Sequence, residues 1–522
     1  MSTFLPPLIQ QMLKPEFYPH PVTQDIELVQ THVSFVLLTG EFVYKLKKPV
    51  DFGFLDYSTL EKRRHFCYEE LRMNQRGAPG IYLNVLRIVQ KGDRFVLGDK
   101  LAEKSPEEGE IVEYALKMKQ FPPNCLFVDL LDRGELTDAL MERLGSIVAD
   151  YHANAPTNEE ILEFGTVEQI RQAIDDNYRY TENYIGRVQT RRQFEETKAY
   201  SDRTFDRHRD WFESRVRQRK IRECHGDLHL RNIALDGDQI LLFDCIEFNK
   251  PFRFVDVMYD VAFTVMDCEA RGRGDLGNAF LNTYIERTGD WEGLRVLPLY
   301  LSRQAYVRAK VTSFLLDDEA VSEAEKANAA KTASEYYRLA WKYTQSHSGK
   351  ILMMSGLSGS GKSTTAGEVA RRLGAIQVRS DAVRKHLAGI PLDERGSDEI
   401  YTADMSRRTY DRLAELGAML AKLGWTVILD AKYDRREWRK MVFDRAEAAS
   451  LPVQILHCTA PMSVLRDRLD RRTGDIADAT ADLLASQQAK AEGFTEAEKA
   501  KVVEIDTTGD LEEIWGDGEI VG

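Results

Sequence analysis

A chain of 522 residues with 43% hydrophobic and 30% charged side chains has the composition of a folded globular protein, which excludes disordered and fibrous classes. At roughly 150 residues per domain, the length suggests about three to four compact units. The formal charge of −13 argues against coating nucleic acid through bulk charge, though not against gripping a single nucleic-acid end.

The opening stretch MSTFLPPLIQQMLK has no basic start and no unbroken apolar core, so no signal peptide is expected. No apolar run approaches the ~18 residues of a spanning helix, so no membrane partner is expected. Six scattered cysteines without a Cys-x-x-Cys pair predict reduced thiols in a cytoplasmic protein.

Residues 1 to about 120 mix strands with one helix. THVSFVLL (31–38) and EFVYKLKK (41–48), split by Thr39-Gly40, predict a hairpin. A helix is expected over 67–76, then strands over 82–90, 94–98 and 111–121. From about 121 to 345 the pattern is mostly helical, broken by IRECHGDLHLRNIAL and QILLFDCIEF. Within it, residues 187–222 carry 12 basic and 6 acidic side chains. That segment reads either as helix with i,i+4 ion pairs or as a site for an anionic partner. A strong helix over 324–343 leads into a polar linker at 345–349. Beyond it, short apolar strands at 350–356, 376–381, 425–431, 452–460 and 501–506 alternate with helical stretches, which implies a parallel sheet with helices on both faces.

His225-Gly226-Asp227-Leu228-His229-Leu230-Arg231-Asn232 places an Asn five residues after an Asp, the spacing of a kinase catalytic loop. Asp227 would orient the acceptor hydroxyl and Asn232 would bind Mg²⁺. Asp244, in the context ILLFD, would be the second metal ligand. The strand lysine that such a site needs is Lys45, with Lys47 as a rival of the same facing. Its helical partner is Glu70, with Glu69 open. Met118 to Phe121 would be the hinge that holds an adenine ring. These residues resemble the aminoglycoside phosphotransferase and choline-kinase group over roughly residues 25–300. The likeness implies an α+β bilobal protein-kinase-like domain over 1–345, with an N-lobe to about 120 and a helical C-lobe from about 121. Two departures are visible: no Gly-rich phosphate loop is present beyond Gly40, and Asp244-Cys245-Ile246 stands where better-known kinases have Asp-Phe-Gly.

Gly356-Leu357-Ser358-Gly359-Ser360-Gly361-Lys362-Ser363 matches G-x-x-x-x-G-K-[ST] between an apolar strand and a helical run that opens at Thr364. Glycines let the loop curl so that backbone N–H groups converge on phosphate at a helix N-terminus. Lys362 would reach the outer phosphates and Ser363 would ligate Mg²⁺. Asp381, expected at the end of a strand, and Arg384, three residues on, would face the ligand as proton acceptor and anion clamp, or else be a helix cap and a surface arginine. Asp430 ends the buried run TVILD, a place for a metal-side acid. Arg466, Arg468, Arg471 and Arg472 form either a solvated basic helix or a lid over the transferring phosphoryl. This part resembles the small P-loop kinases of the zeta-toxin, gluconate-kinase and polynucleotide 5′-kinase group. The likeness implies an α/β P-loop domain over 350–522, ATP with Mg²⁺, and an alcohol acceptor. Residues 349–522 hold 25 basic and 29 acidic side chains, a net of −4, which favours a small acceptor or one phosphorylated end over a nucleic-acid track.

The sequence thus predicts two fused ATP-dependent kinase modules that act on hydroxyls of small-molecule or nucleotide-like acceptors. The rival expectations are a regulatory ATP-binding or ATPase protein with a degenerate kinase half, and a nucleic-acid 5′-hydroxyl end-repair kinase.

Overall fold

A computed structural model describes residues 5–98, 109–122, 124–471 and 484–509. The chain forms two compact units. One comprises Met1–Leu136, Tyr151–Ile170 and Glu213–Thr264; the other comprises Thr137–Asp150, Arg171–Phe212 and Val265–Gly522.

The first unit is built on a six-stranded antiparallel sheet. Its strands are β1 (Glu27–Gln30), β2 (Ser34–Leu38), β3 (Phe42–Lys47), β4 (Tyr82–Lys91), β5 (Arg94–Gly98) and β6 (Glu110–Lys119), in the order β1-β2-β3-β6-β4-β5. β2 and β3 form the expected hairpin, and Gly40 at φ +98° supplies the left-handed turn. The short β1 escaped the sequence reading, since its alternation is mostly exposed. On β3 the period of two divides the faces: Tyr44 and Leu46 pack with Ile9, Met12 and Ile88, whereas Val43 packs with Tyr82, Leu116 and Met118. The helix Leu60–Asn74 starts earlier than predicted, because Thr59 caps it by accepting the Lys62 N–H. Below the sheet come β7 (Ile221–Glu223), β8 (Ile233–Asp236), β9 (Gln239–Leu242) and β10 (Phe254–Asp256), with β7 pairing β10 and β8 pairing β9.

The second unit contains a five-stranded parallel sheet of β11 (Lys350–Ser355), β12 (Ile376–Arg379), β13 (Thr426–Asp430), β14 (Val453–Thr459) and β15 (Val502–Asp506), in the order β12-β13-β11-β14-β15. Leu352, Met354, Val369, Ile428, Leu456 and Ile505 fill its core. The helix Gly274–Thr288 lies against the β12 edge of the same unit: Asn278 and Asn282 donate to the Ala375 carbonyl at 2.9 and 3.0 Å, and Asn282 accepts the Gln377 N–H at 2.8 Å. These amides satisfy backbone groups that an edge strand would leave open. One expectation is corrected here. β12 ends at Arg379, and Asp381 lies in the first turn of the helix Ser380–Ala388. No helix among the described residues is long and apolar enough to cross a membrane.

Candidate active sites

In the first unit, Glu70 projects from the helix Leu60–Asn74 with only 1% of its side chain exposed and meets both candidate lysines of β3. Its Oε1 lies 2.8 Å from Lys45 Nζ and its Oε2 lies 2.7 Å from Lys47 Nζ. Glu69 turns away to Arg72 at 2.9 Å and Arg253 at 3.2 Å. The two lysines then part company. Lys45 reaches Asp244 Oδ1 at 2.9 Å, at the open edge of the site. Lys47 is sealed inside with Glu247 and the Tyr57 hydroxyl, and that hydroxyl donates to Glu247 at 2.7 Å. Burial alone would depress both ammonium groups, yet Asp244 and Glu70 hold Lys45 well above its ordinary value, and Glu247 and Glu70 do the same for Lys47. Lys45 in turn holds the Asp244 carboxyl below its usual range. Burial works against the ionised form of Glu70, but the two lysines overcome it and keep that carboxyl low.

The catalytic-loop motif is held from beneath. The carboxylate of Asp260, fully buried, accepts the N–H groups of His225 at 2.7 Å and Gly226 at 2.9 Å, and it contacts His152 Nε2 at 3.2 Å. Gly226 takes φ +86°, and a Cβ there would lie 2.6 Å from the Phe252 carbonyl oxygen. Asn232 closes a 3₁₀ turn, Leu230–Asn232, and donates to Asp227. Asp244 sits just past β9 at φ +59°, with its N–H on the Tyr82 hydroxyl at 3.2 Å. His225 Nε2 contacts the Phe243 carbonyl at 2.9 Å, and Asn74 accepts the Cys245 N–H at 2.9 Å. These bonds join the loop of Asp227, the segment of Asp244 and the helix of Glu70 into one frame. Met118 pairs with Val43 and Tyr82 across β6, in an apolar cluster with Val36, Leu38, Phe121 and Phe243, which suits a planar base. Sequence reading missed Asp260, His152 and Glu247. An acid flanked by apolar residues in the first turn of the helix Val257–Ala270 was the signal for Asp260.

In the second unit, the strand β11, the phosphate loop and the helix Lys362–Leu373 stand in the expected order. Gly356, Gly359 and Gly361 take φ +135°, +79° and +81°. A Cβ at Gly356 would lie 2.3 Å from the Cys458 carbonyl oxygen, and one at Gly359 would lie 2.7 Å from that of Leu465. Lys362, pushed below its ordinary pKa by burial, folds back to donate to the Leu357 carbonyl at 2.7 Å. Among the described residues, the buried hydroxyl oxygen of Ser360 has no hydrogen-bond partner. Asp430 ends β13 and accepts from Gln377 at 3.0 Å, with Arg379 Nε at 3.9 Å. Arg384 donates to the Ile400 carbonyl at 3.0 Å and lies 5.1 Å from the Tyr401 ring. Arg468, from the helix Met462–Asp470, donates to the Thr507 carbonyl at 2.7 Å and to its hydroxyl at 2.9 Å. Arg472 falls outside the described residues.

One cleft of about 1890 Å³ gathers Ser358, Gly359, Gly361, Lys362, Ser363 and Thr364 with Asp381, Arg384, Asp430 and Arg468. Gln377, Arg379, Arg395, Arg407 and Thr507 also stand at or beside this site, and none was singled out from sequence. Their motif signals are weak, since strand and loop arginines carry no spacing of their own. The basic segment 187–222, by contrast, is largely ion-paired, as in Arg192–Glu196 at 2.8 Å and Lys198–Asp202 at 2.9 Å.

The donor sets suit a hard cation: carboxylate and amide oxygens at Asp244 and Asn232, hydroxyl and carboxylate oxygens at Ser363 and Asp430. The unpartnered Ser360 hydroxyl and the left-handed glycines make a cradle that a side chain would fill, which fits phosphate.

Residues 129–297 match the phosphotransferase enzyme family, and residues 351–494 match a family described as an AAA domain. The chain therefore carries a stretch similar to that phosphotransferase family, followed by one similar to that AAA domain. It is 27% identical over 503 residues to an uncharacterized protein of Mycobacterium tuberculosis, covering 95% of this chain and 96% of that one. A sugar kinase from Janibacter sp. is 25% identical, covers 32% of this chain and 89% of its own, and superposes with a TM-score of 0.25. Aminoglycoside 2′-phosphotransferase-IIIa is 12% identical, covers 63% of this chain and 98% of its own, and gives a TM-score of 0.38.

Proposed function

We propose that the protein is a bifunctional ATP-dependent phosphotransferase, each module moving the γ-phosphoryl of ATP onto a hydroxyl of a small-molecule or nucleotide-like acceptor. The module boundary is taken at the linker 345–349, and the cell compartment as the cytoplasm, in keeping with six buried free cysteines. The observation that carries the reading is the meeting of Lys45, Glu70 and Asp244 above the Asp227–Asn232 loop, alongside a complete phosphate loop ending in Lys362.

In the first module, Lys45 would hold the nucleotide phosphates while Glu70 fixes its position. Asn232 and Asp244 would hold Mg²⁺, which would offset the phosphate charge. Asp227 accepts the proton of the acceptor hydroxyl as the new O–P bond forms and the bond to the leaving ADP breaks. In the second, the loop amides from Ser358 to Thr364 would cradle the phosphates. Lys362 would swing from the Leu357 carbonyl to the outer phosphates, Ser363 and Asp430 would hold Mg²⁺, Asp381 would take the acceptor proton, and Arg384 and Arg468 would steady charge. The missing Gly-rich loop is the one feature that favours a regulatory, nucleotide-binding first module.

The test is incubation with γ-labelled ATP and a metabolite extract, comparing the native chain with Asp227→Ala and Lys362→Ala. Each substitution should erase one set of labelled products and spare the other. If either erases both, the modules do not act independently.

A further inference from the structure

The charge lining the P-loop cleft exceeds what a nucleotide needs. Ten Lys and Arg side chains line it against four Asp and Glu, in a chain whose net charge is −13. Among the described residues, two of the ten also pair with carboxylates outside the lining: Arg379 with Glu286 at 3.4 Å and Arg471 with Asp467 at 3.0 Å. A nucleoside triphosphate with its Mg²⁺ carries about −2. With those pairings and the nucleotide subtracted, the cleft keeps an excess of about +2.

That excess has a location. Arg384 is 8% exposed, and its Nε is buried with no acceptor. Its other contacts are the Ile400 carbonyl, the Ser406 hydroxyl and the face of Tyr401, all neutral groups. Arg395 and Arg407 line the same cleft. Among the described residues, no ion pair joins any of the three to a carboxylate. A guanidinium buried without a counter-charge is costly unless a ligand supplies one. In the kinase reading Lys362 and the phosphate loop take the triphosphate tail, so these three arginines are available to something besides it.

We infer that the acceptor of the P-loop module is a dianionic alcohol, a phosphate monoester whose phosphate docks on Arg384, Arg395 and Arg407 while a separate hydroxyl faces Asp381. This rests on the kinase reading of the module. The transfer is balanced: the acceptor oxygen bonds to the γ-phosphorus, the bond from that phosphorus to ADP breaks, and the hydroxyl proton passes to Asp381. The product is a bisphosphorylated compound. The monoester it consumes must come from a prior phosphorylation of the same alcohol or from cleavage of a phosphodiester.

The test titrates inorganic phosphate by calorimetry into the full chain saturated with Mg²⁺ and a non-hydrolysable ATP analogue. The expected result is saturable uptake that weakens by about tenfold or more in Arg395→Gln/Arg407→Gln, while that variant keeps native affinity for the analogue. No uptake with the analogue seated, or equal uptake in the variant, overturns the inference. Failure of the analogue to bind would instead remove the kinase reading beneath it. A second measurement follows ADP release from matched pairs, such as glycerol against glycerol 3-phosphate and a nucleoside against its monophosphate, in an Asp227→Asn chain. The phosphorylated members should be preferred, and the double substitution should remove the preference through KM. A preference for neutral members would also overturn it.

Discussion

Asn232 donates its side-chain amide to two oxygens of Asp227 at once, the main-chain carbonyl at 2.9 Å and the carboxylate at 3.2 Å. The residue proposed to hold metal thereby also fixes the residue proposed to take the proton. Asp227→Asn should lower phosphoryl transfer by the first module by about 10²–10⁴-fold with nucleotide affinity kept. Asn232→Ala should lower both. Single-turnover kinetics alongside nucleotide calorimetry separates the two outcomes.

Counting bound nucleotide tests the second module. Calorimetry with an ATP analogue should give two equivalents for the native chain and one for Lys362→Ala. A single equivalent in the native chain would show that one pocket is silent.

The sealed pair Lys47–Glu247 makes a stability prediction. Lys47→Met leaves the buried Glu247 carboxylate without its cation and should cost about 3–5 kcal/mol, whereas Glu247→Gln leaves Lys47 paired with Glu70 and should cost less. The double substitution should recover much of that loss. Denaturant unfolding, followed on the transition of the first unit, measures the coupling.

Gly226 sits at φ +86° with a carbonyl where a Cβ would fall, one residue before Asp227. Gly226→Ala should therefore displace the loop from the Asp260 carboxylate and abolish first-module activity. The P-loop activity should persist, which an assay of both product sets would show.

The ionic frame also fixes a pH window. Glu70 and Asp244 are depressed from ordinary values of 4.5 and 3.8, so their contribution is complete above that range and is lost as pH falls through their lowered values. Lys45 and Lys47 are raised above 10.5, so theirs is complete below that value and is lost as pH climbs past their raised ones. The contribution of these four groups should be flat between these limits, while His225, held below 6.5 by burial, adds a separate loss of stability as pH falls below that value. Urea midpoints across pH would reveal a slope near neutrality if the pairs were not formed.

Much of this was legible in the sequence because local chemistry and period agree. The β2–β3 hairpin, the five parallel strands and the phosphate loop all announce themselves by alternation, glycine placement and spacing. Alternation also placed Lys45 and Lys47 on one face, but it could not choose between them. The choice lies in Asp244 and Glu247, about 200 residues further along the chain. Asp381 was assigned to a strand end because RSD continues an extended run, yet Ser380 and Asp381 already belong to the next helix. Arg468 suggested a lid from its charged neighbours, whereas here it is tied to Thr507, a tertiary contact no local pattern encodes.

Glu70 bridging two lysines of one strand has a mechanical consequence. A rotation of its helix away from the sheet would leave Lys45 with Asp244 alone and the sealed Lys47 with Glu247 alone, two close ammonium groups with one carboxylate fewer between them. Swinging that helix is therefore an expensive way to idle the first module.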